Sequence, residues 1–570
     1  MIPRRARHLP IALLLAACDD GPRYAESFTV VHLRAGDSVA TQLAVHACAG
    51  LQNRRLGGSV FVQTDADVPQ ATLDGALVDD GIWLEALGLA GEAELEAAPF
   101  LETCVKEARG CLRYSYAAQQ EILPAILTVA AAKGLPPLAD ESPFPCERPD
   151  IDALELFAGQ DTQLLSTEVA RQTALAETSG LAMLNPGYDR HADDLSDPEL
   201  IEDMPMALID LVFSRKLFVT FLVNGCIEDH EERALLSRIV DESGWPTPIG
   251  VFGYNDSWLI GGYLHEAQTR CLDSANMGAI PTRTTNLSFF DTRRPPIAAP
   301  DELALTTPDA VTYDPSRTYV AFIIGDGDNI RYIMSTRKEW LEQRVAACAG
   351  ATCPPLTWTI SPHLADLAPD VLAWYAETAH TTGADTFALP PSGYLYAYPS
   401  LMPDADGARF VTGTEDAAAL LGTHSVVHWE WSGTWEDAVE DFLPRYARQD
   451  GQIRGIFPVN VPYLIEAFPD WPADDTVHVL TGEDGGQIAL FRSQSWRGVD
   501  GSDDFHPTPQ QMADRLGALP PGTVTWVYMT SDGGLSLENS YNELTRILPE
   551  HVELVSADTA AQLALAAGGG

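Results

Sequence analysis

Polar side chains that could take part in catalysis lie at or just beyond the ends of two apolar stretches in the second half of the chain. The stretch YVAFIIG runs directly into Asp326, Asp328 and Asn329, and SVVHWEW contains His428 and Glu430. Hydrolysis of a glycosidic bond requires two carboxyl groups flanking that bond, one of which donates a proton. We therefore predict Asp326, Asp328 and Glu430 as the catalytic acid, base or nucleophile.

Each of these residues also has a structural interpretation. Asp328 or Asn329 could cap the helix predicted over IRYIMSTRKEW, since both residue types accept hydrogen bonds from the first free amides of a helix. Glu430 could pair with an arginine at the end of its strand. Because one glycine separates Asp326 from Asp328, each carboxyl would raise the pKa of the other if both faced inward, which suits an acid.

A second set of polar and aromatic residues follows the same kind of stretch and is predicted to bind substrate. Aromatic rings stack on the C–H-rich faces of sugars, and polar side chains bond to the hydroxyl groups. The predicted binding residues are Asn329, Ser392, Tyr394, Tyr396, Tyr398, His428, Asn460, Arg492, Trp496 and Asp532. An ion pair or a core position is the alternative for Arg492 and Trp496, and Asp532 could instead begin a turn.

Three of these residues are tyrosines that alternate with small or apolar residues in PPSGYLYAYPS, residues 390–400. Strict alternation is typical of a half-buried strand. The preceding DTFALPP already reads as the strand, so we predict that the tyrosines lie in the loop beyond its carboxyl end and face a ligand. The alternative is that one or two of them brace the loop.

The elements that must position these residues are strands that alternate with helical segments over residues 317–565. The predicted strands are YVAFIIG, LTWTIS, DTFALP, SVVHWEW, GIFPVN, QIALFRS, TVTWVYM and VELVS. This rhythm predicts a (β/α)-barrel-like domain, in which the residues after each strand meet at one mouth. A doubly wound open sheet is the alternative.

The first half of the chain shows the same rhythm, in SFTVVHL, GSVFVQ, KLFVTFLV and PIGVFGY with helical patterns between them. A chain of 570 residues also exceeds what one core supports. We predict the α/β class throughout, with N-terminal α/β subdomains at 24–205, a third at 206–292, a proline-rich linker at 293–316, and then the barrel-like domain.

The N-terminus combines a basic segment, MIPRRARH, with a short apolar one, LPIALLLA, that ends at Cys18. The apolar segment is far shorter than the roughly 20 residues that span a bilayer. It resembles a bacterial lipoprotein signal, which predicts removal of most of residues 1–18, lipidation of Cys18, and an exported, membrane-anchored protein in the periplasm or on the cell surface. An ordinary cleaved signal with a chance cysteine is the alternative.

Eight further cysteines in an exported chain predict disulfides. Cys104/Cys111 and Cys348/Cys353 are close enough in sequence for local loops, and Cys226/Cys271 could close one subdomain. The chain contains no CxxC pair, so we predict no structural zinc site and no cofactor.

Composition and motif searches exclude several classes of function. The net charge of −46 disfavours nucleic acid and anionic lipid as partners. There is no HExxH metal pair, no GxSxG nucleophile elbow, no phosphate-binding loop and no dinucleotide fingerprint.

Several motifs in register resemble the GxGYxYP family, whose members are classed as glycoside hydrolases. Residues 393–399, GYLYAYP, fit the name motif with Leu395 at the second glycine, and Tyr396 and Tyr398 match its tyrosines. The segments YVAFIIGDGDNIRY, LTWTISPHLADLAP, DTFALPPSGY and IALFRSQSW resemble other parts of that C-terminal domain, and ACAGLQNRR, GSVFVQ and KLFVTFLV resemble its N-terminal region. The resemblance implies a carbohydrate substrate. Since glycine at such a position supplies a positive φ or a close backbone approach, Leu395 predicts a loop that bends differently or a more distant ligand.

The leading hypothesis is a glycoside hydrolase that acts on an extracytoplasmic oligo- or polysaccharide through carboxylates at the barrel mouth. The alternative is a non-catalytic glycan-binding surface lipoprotein on an enzyme-like scaffold. A metal-dependent hydrolase is a third hypothesis.

Overall fold

The structure is a computed structural model that describes residues 24–568, except 35, 65–80, 109, 143, 145, 147–148, 185–205, 223–229, 254–275, 283, 309, 351–352, 432, 460–475, 493 and 531–534. Helices and parallel strands alternate along it, which confirms the predicted α/β class. None of the helices in these ranges combines the length and apolar character that a membrane crossing needs.

The described residues of the N-terminal half form three parallel sheets, and the first two have three strands each. The first has the order β2-β1-β3 and the second the order β5-β4-β6. Their strands are β1 (Thr29–Leu33), β2 (Val60–Thr64), β3 (Ala93–Glu96), β4 (Leu112–Tyr114), β5 (Pro137–Ala139) and β6 (Ile151–Asp152). The helices of this region are α1 (Val39–Leu56), α2 (Ile82–Ala86), α3 (Ala97–Glu107), α4 (Tyr116–Gln119), α5 (Leu123–Lys133), α6 (Ala153–Leu156) and α7 (Gln163–Ala174).

The third sheet has four parallel strands in the order β10-β9-β7-β8, so that β10 is an edge strand. Its strands are β7 (Leu181–Met183), β8 (Phe218–Thr220), β9 (Ile249–Phe252) and β10 (Met277–Ile280). Its helices are α8 (Ile209–Arg215), α9 (His230–Ser243) and α10 (Leu287–Arg293). Because β7 belongs to this sheet, the third unit begins before residue 206, where the sequence analysis placed its start.

Among the described cysteines, two disulfides cross-link elements of the N-terminal half, and a third closes a short loop at the end of a barrel helix. Cys48 on α1 pairs with Cys104 on α3, Cys111 pairs with Cys146, and Cys348 pairs with Cys353. The predicted Cys348/Cys353 pair is confirmed. The predicted Cys104/Cys111 pair is wrong, because each of the two reaches a more distant partner that the fold brings close. Residues 226 and 271 lie outside the described ranges.

In the described part of the C-terminal half, eight parallel strands follow the cyclic order of a (β/α) barrel, which confirms the barrel-like prediction. One sheet runs β18-β19-β11-β12-β13, another runs β14-β15-β17-β16, and a parallel bridge from Leu389 to Val426 joins them. Among the described residues no backbone pairing joins β17 to β18, β16 is antiparallel to β17, and β20 pairs with the first half of β11. The strands are β11 (Thr318–Ile324), β12 (Leu356–Thr359), β13 (Asp385–Ala388), β14 (Ser425–His428), β15 (Gly455–Pro458), β16 (Val477–Thr481), β17 (Gln487–Phe491), β18 (Ser495–Trp496), β19 (Val524–Met529) and β20 (Val552–Val555).

Helices surround this barrel and close its amino-terminal end. Every residue of β11 is buried, as expected for a parallel strand covered on both faces. The helices are α11 (Ile330–Ile333), α12 (Thr336–Cys348), α13 (Leu364–Leu367), α14 (Pro369–His380), α15 (Asp404–Leu420), α16 (Trp435–Asp437), α17 (Pro509–Gly517), α18 (Asn542–Ile547) and α19 (Ala557–Gly568). Helix α19 contacts β11, β14, β15, β17 and β19, and Ala561 lies against Gly455 at the start of β15, so this helix packs across the amino-terminal end of the barrel.

Candidate functional site

Residues 325–329, which we call the acidic loop, follow β11 at the carboxyl end of the barrel. Two glycines allow this loop to lie against the neighbouring strands. A Cβ on Gly325 would come within 1.9 Å of the ring of Tyr528 on β19, and one on Gly327 within 2.1 Å of the carbonyl oxygen of Thr359 on β12. Neither position accepts a larger residue without moving the loop, so the glycines fix where the carboxyl groups lie.

Tyr528 orients the Asp326 carboxylate. Its hydroxyl accepts a hydrogen bond from the Asp326 amide at 3.0 Å and donates one to Asp326 Oδ1 at 3.2 Å. Burial, together with the charges of Asp326 and Asp328, raises the pKa of Tyr528, so this hydroxyl remains a donor. The pair holds Asp326 at a φ of 58°, a left-handed conformation that costs a non-glycine residue free energy and clusters at functional sites.

Asp328 has the environment of a proton donor. Its side chain is half-buried, and burial followed by the nearby charge of Asp326 raises its pKa to about 7, while Arg337 acts in the opposite direction. A carboxyl group that keeps its proton near neutral pH can act as a general acid.

Asn329 begins the helix that follows the loop. Its side chain accepts a hydrogen bond from the Arg331 amide at 3.1 Å and caps α11. The capping interpretation therefore applies to Asn329, which leaves the carboxyl group of Asp328 outside this structural role.

Arg337, in the first turn of α12, is a charged neighbour of the acidic loop that the sequence analysis did not select. It is 4% exposed, and its two terminal nitrogens have no hydrogen-bond partner among the described residues. Burial lowers its pKa, while the charges of Asp326 and Tyr528 favour its protonated form. The segment TRKEW has the charge pattern of an exposed helix face, so its sequence contains no signal that would single out this arginine.

Glu430 is enclosed rather than open to the barrel mouth, which corrects the expectation for this residue. Its side chain has no exposed surface. The carboxylate accepts hydrogen bonds from the Ser400 amide at 3.1 Å and hydroxyl at 2.6 Å, and His428 Nε2 lies 3.1 Å from it. Its partners are therefore Ser400 and His428, and not the arginine that the structural interpretation expected. Glu430 fixes the end of the loop after β13.

His428 and Ser392, both predicted to bind substrate, are also fully buried. The His428 ring lies between those of Trp435 and Phe442, with ring centroids at 5.9 and 6.3 Å. The Ser392 hydroxyl lies 2.7 Å from the carbonyl oxygen of Ala397 and accepts from the Trp429 amide at 2.9 Å. Both residues hold loops in place, and neither offers a surface to a ligand.

Residues 390–400, which we call the tyrosine loop, lie beyond β13 as predicted. Tyr398 is fully buried against Trp431, so it braces the loop and its predicted contact with a ligand is not supported. Tyr394 is half-buried against Phe410, and Tyr396 is half-buried with its ring 6.0 Å from that of Trp429.

Partly exposed aromatic surface remains on Tyr396 and on Trp431, whose side chain is also half-buried. Trp431 was not among the predicted residues, although its alternation with Trp429 beyond β14 was a usable signal.

Two further predicted residues, Trp496 and Arg492, lie within the described part of the chain. Trp496 is fully buried against Phe322, its indole N–H donates to the Pro507 carbonyl at 2.8 Å, and it belongs to the core rather than to a sugar platform. Arg492 is half-buried just after β17, where its carbonyl accepts from the indole of Trp526. The predicted residues outside the described ranges are Cys18, Asn460 and Asp532.

Within the described part of the chain, no group of three or more His, Cys, Asp or Glu side chains has the arrangement of a metal site.

Comparisons with known proteins agree with the fold and with the motifs. Residues 316–466 match the model of the "GxGYxYP putative glycoside hydrolase C-terminal domain". The solved structure of a "putative hydrolase" from Bacteroides thetaiotaomicron VPI-5482 is similar over 95% of both chains, with 18% identity and a TM-score of 0.67, which is a likeness of fold. No curated protein matches the chain.

Two other solved structures align with less than half of this chain and support no inference. A "putative polysaccharide deacetylase" from Mycobacterium smegmatis has 15% identity and a TM-score of 0.28 over 46% of this chain and 95% of its own. A 4-alpha-glucanotransferase from Thermococcus litoralis has 12% identity and a TM-score of 0.30 over 43% of this chain and 40% of its own. The resemblance seen in the motifs is thus confirmed by the family match, because residues 316–466, which include the acidic loop and the tyrosine loop, match the model of the GxGYxYP C-terminal domain.

Proposed function

We propose that the protein hydrolyses glycosidic bonds at the acidic loop. The observation that carries this proposal is the unequal environment of two carboxyl groups in one loop. Asp328, whose pKa is raised to about 7, is the general acid, and Asp326, oriented by Tyr528, is the base or nucleophile.

The substrate class follows from the aromatic surface near the barrel mouth. Tyr396 and Trp431 keep part of their rings exposed on loops that follow β13 and β14, at the same end of the barrel as the acidic loop. Rings of this kind stack on sugar faces. The family match over residues 316–466 also supports a carbohydrate.

The enclosure of Glu430 favours a second candidate, a glycan-binding protein without catalytic activity. Hydrolysis needs two carboxyl groups separated by the bond to be cleaved. With Glu430 held by Ser400 and His428, the acidic loop alone would have to supply both. Under this candidate the aromatic rings bind a glycan and the carboxyl groups are dispensable.

A hydrolysis screen separates the two candidates. The chain from residue 19 onward is incubated with aryl glycosides and polysaccharides, and released reducing sugar is measured. We expect turnover that falls as the pH rises above about 7, because Asp328 then loses its proton. D328N and D326N should each lower kcat by roughly 100- to 10,000-fold with folding retained.

D504N provides the matched control, since the Asp504 side chain is 93% exposed and pairs only with Arg515 at the surface among the contacts described. Its activity should equal that of the unchanged chain. Glycan binding without turnover, lost in Y396A but retained in D326N and D328N, would favour the binding protein and contradict the enzyme.

We also propose that the protein is an exported lipoprotein attached through Cys18. The basic and apolar segments before that cysteine support this location. Mass spectrometry of the membrane-extracted protein should show a diacylglycerol-modified N-terminal cysteine, and C18A should abolish the modification. A mature N-terminus at any other residue would contradict it.

A further inference from the structure

Strand β10, the edge of the third N-terminal sheet, pairs with the tyrosine loop. Ala279 and Tyr396 exchange two backbone hydrogen bonds, each of 2.9 Å, in an antiparallel bridge. The loop thereby completes a sheet edge whose amides and carbonyls would otherwise lack partners on that side.

A side-chain contact reinforces this pairing. Leu395 is 2% exposed and lies on two glycines of the sheet, Gly278 and Gly250. A Cβ on Gly278 would lie 2.8 Å from the Leu395 Cβ, and one on Gly250 would lie 3.3 Å from its Cδ2. Leu395 has no positive φ. The residue at the second glycine of the family motif therefore serves here as an apolar anchor between the barrel and the N-terminal sheet.

Pro281, just beyond β10, contacts the helix that follows the acidic loop. The Pro281 carbonyl oxygen accepts a hydrogen bond of 2.9 Å from the amide of Ile330, the first residue of α11. Asn329, the cap of that helix, is the last residue of the acidic loop. The first amides of a helix need partners from outside the helix, and Pro281 supplies one. Ala279 thus contacts the tyrosine loop, and Pro281, two residues later, contacts the first residue after the acidic loop.

We propose that β10 and Pro281 form part of the carbohydrate site, with Gly278, Ala279 and Pro281 as positioning residues that set the spacing between the carboxyl groups and the aromatic rings. This inference rests on the proposed function and deepens it. Under this proposal the third N-terminal sheet fixes the tyrosine loop directly and fixes the acidic loop through the first residue of α11. Rigid elements position functional groups more accurately than loops do. A displacement of about 1 Å is enough to cost roughly 100-fold in rate.

The test adds one methyl group at the contact. In G278A the new methyl overlaps Leu395, so the tyrosine loop must move, and we expect KM to rise and kcat/KM to fall by roughly 10- to 100-fold with little change in Tm. The double variant G278A/L395G removes the atoms that the methyl meets and should recover most of the lost kcat/KM. Aryl glycosides that the unchanged chain hydrolyses serve as substrates.

A matched control shows whether the effect depends on where the methyl group is added or follows from any steric clash of that size. In G517A the added Cβ would meet Pro549 at 2.8 Å, the same overlap, at the end of α17. Its kcat and KM should match those of the unchanged chain. A fall in activity that is equal in G517A and G278A, or that the double variant does not reverse, would overturn the proposal.

A second readout needs no substrate. Hydrogen–deuterium exchange is compared in peptides that cover residues 325–335 and 390–400. G278A touches only the tyrosine loop, yet we expect faster exchange in both segments, because β10 holds both. If only residues 390–400 change, β10 does not couple the loops and the proposal fails. Should G278A not fold, L395G deletes the contact without adding an atom and is measured in the same way.

Failure of the proposed hydrolysis can be distinguished from failure of the proposed positioning role of β10. If no glycoside or polysaccharide is turned over by the unchanged chain, the proposed hydrolysis fails, while the exchange pattern alone still decides whether β10 positions both loops.

Discussion

Helix α12 carries two buried arginines in opposite electrostatic environments, one at each end of the barrel. Arg344, near the helix end, contacts Asp385 through Nη2 at 2.9 Å and Nε at 3.2 Å. Burial lowers the pKa of Arg344, but the Asp385 carboxylate outweighs it and the net change is upward. Arg337, in the first turn, makes no carboxylate contact through its terminal nitrogens within the described residues, and its pKa is lowered.

The carboxyl groups at the two ends differ in the same way. At the amino-terminal end, Asp385 also accepts from the Trp358 indole at 3.0 Å, and Asp558 accepts from the Ser425 hydroxyl at 2.6 Å and the His424 amide at 2.9 Å. At the carboxyl end, Asp328 is half-buried beside a like charge. Saturated carboxylates stabilise the fold, whereas strained and perturbed ones mark functional sites. The contrast is thus between a saturated carboxylate that stabilises the amino-terminal end and the proposed catalytic site at the carboxyl end.

The largest loss of stability is expected when the Arg344–Asp385 ion pair at the amino-terminal end of the barrel is removed. R344M leaves the Asp385 carboxylate buried without its charge partner, which costs about 3–5 kcal/mol of unfolding free energy. Denaturant titration measures this loss, and kcat/KM per folded molecule should not change. R445M is the control, because Arg445 pairs with Asp404, whose side chain is 97% exposed, and should cost less than about 1 kcal/mol. Equal losses in the two variants would contradict this contrast.

A smaller effect is expected from the stability of D328N as a function of pH. Folding raises the pKa of Asp328 to about 7 from an unfolded value of about 3.9, so the folded state binds the extra proton and the unfolding free energy falls as the pH rises through that window. Asparagine does not titrate, so the unfolding free energy of D328N does not fall in this way as the pH rises. D328N should therefore gain stability relative to the unchanged chain between about pH 4 and pH 8, by roughly 1–2 kcal/mol after solvent screening. A difference that is constant with pH would contradict the raised pKa.

The smallest effect on stability is expected from R337M. A buried guanidinium without a carboxylate contact contributes little net stability, so its loss should change the unfolding free energy by less than about 1 kcal/mol. Because the Arg337 charge lowers the pKa of Asp328, its removal raises that pKa, and the loss of kcat at high pH should move to a higher pH. R337K should retain the original profile. A stability loss equal to that of R344M would remove the contrast between the two ends.

The strands and the residues that follow them could be predicted from the sequence, because a parallel strand buried on both faces is a continuous apolar run. The acidic loop was found in this way, directly after YVAFIIG, and so was the position of the tyrosine loop after β13. The family motifs placed the same two loops in register.

The orientation of individual side chains could not be predicted, because it depends on partners from other elements. Glu430 is enclosed by Ser400 of the preceding loop, and Trp496 is covered by Phe322 of a strand far away in sequence. The sequence showed Leu395 only as a departure from the motif, because the two glycines against which it packs, Gly250 on β9 and Gly278 on β10, come from a different sheet. Arg337 gave no signal, since burial of a helical arginine is decided by tertiary packing.

Helix α19 has a consequence for the order in which the barrel is completed during synthesis. The five parallel strands β11, β14, β15, β17 and β19 begin against this helix, and in β20, immediately before it, Val552 pairs with Thr318 of β11. While a ribosome is still translating residues 557–568, the apolar ends of these strands have no cover, and the first barrel strand lacks a neighbour. Pairing between strands that are far apart in sequence is slow, and the partly folded chain is prone to aggregate until it is complete. A stop codon before residue 557 would thus be expected to produce an aggregation-prone chain, although only the last 14 of 570 residues would be missing.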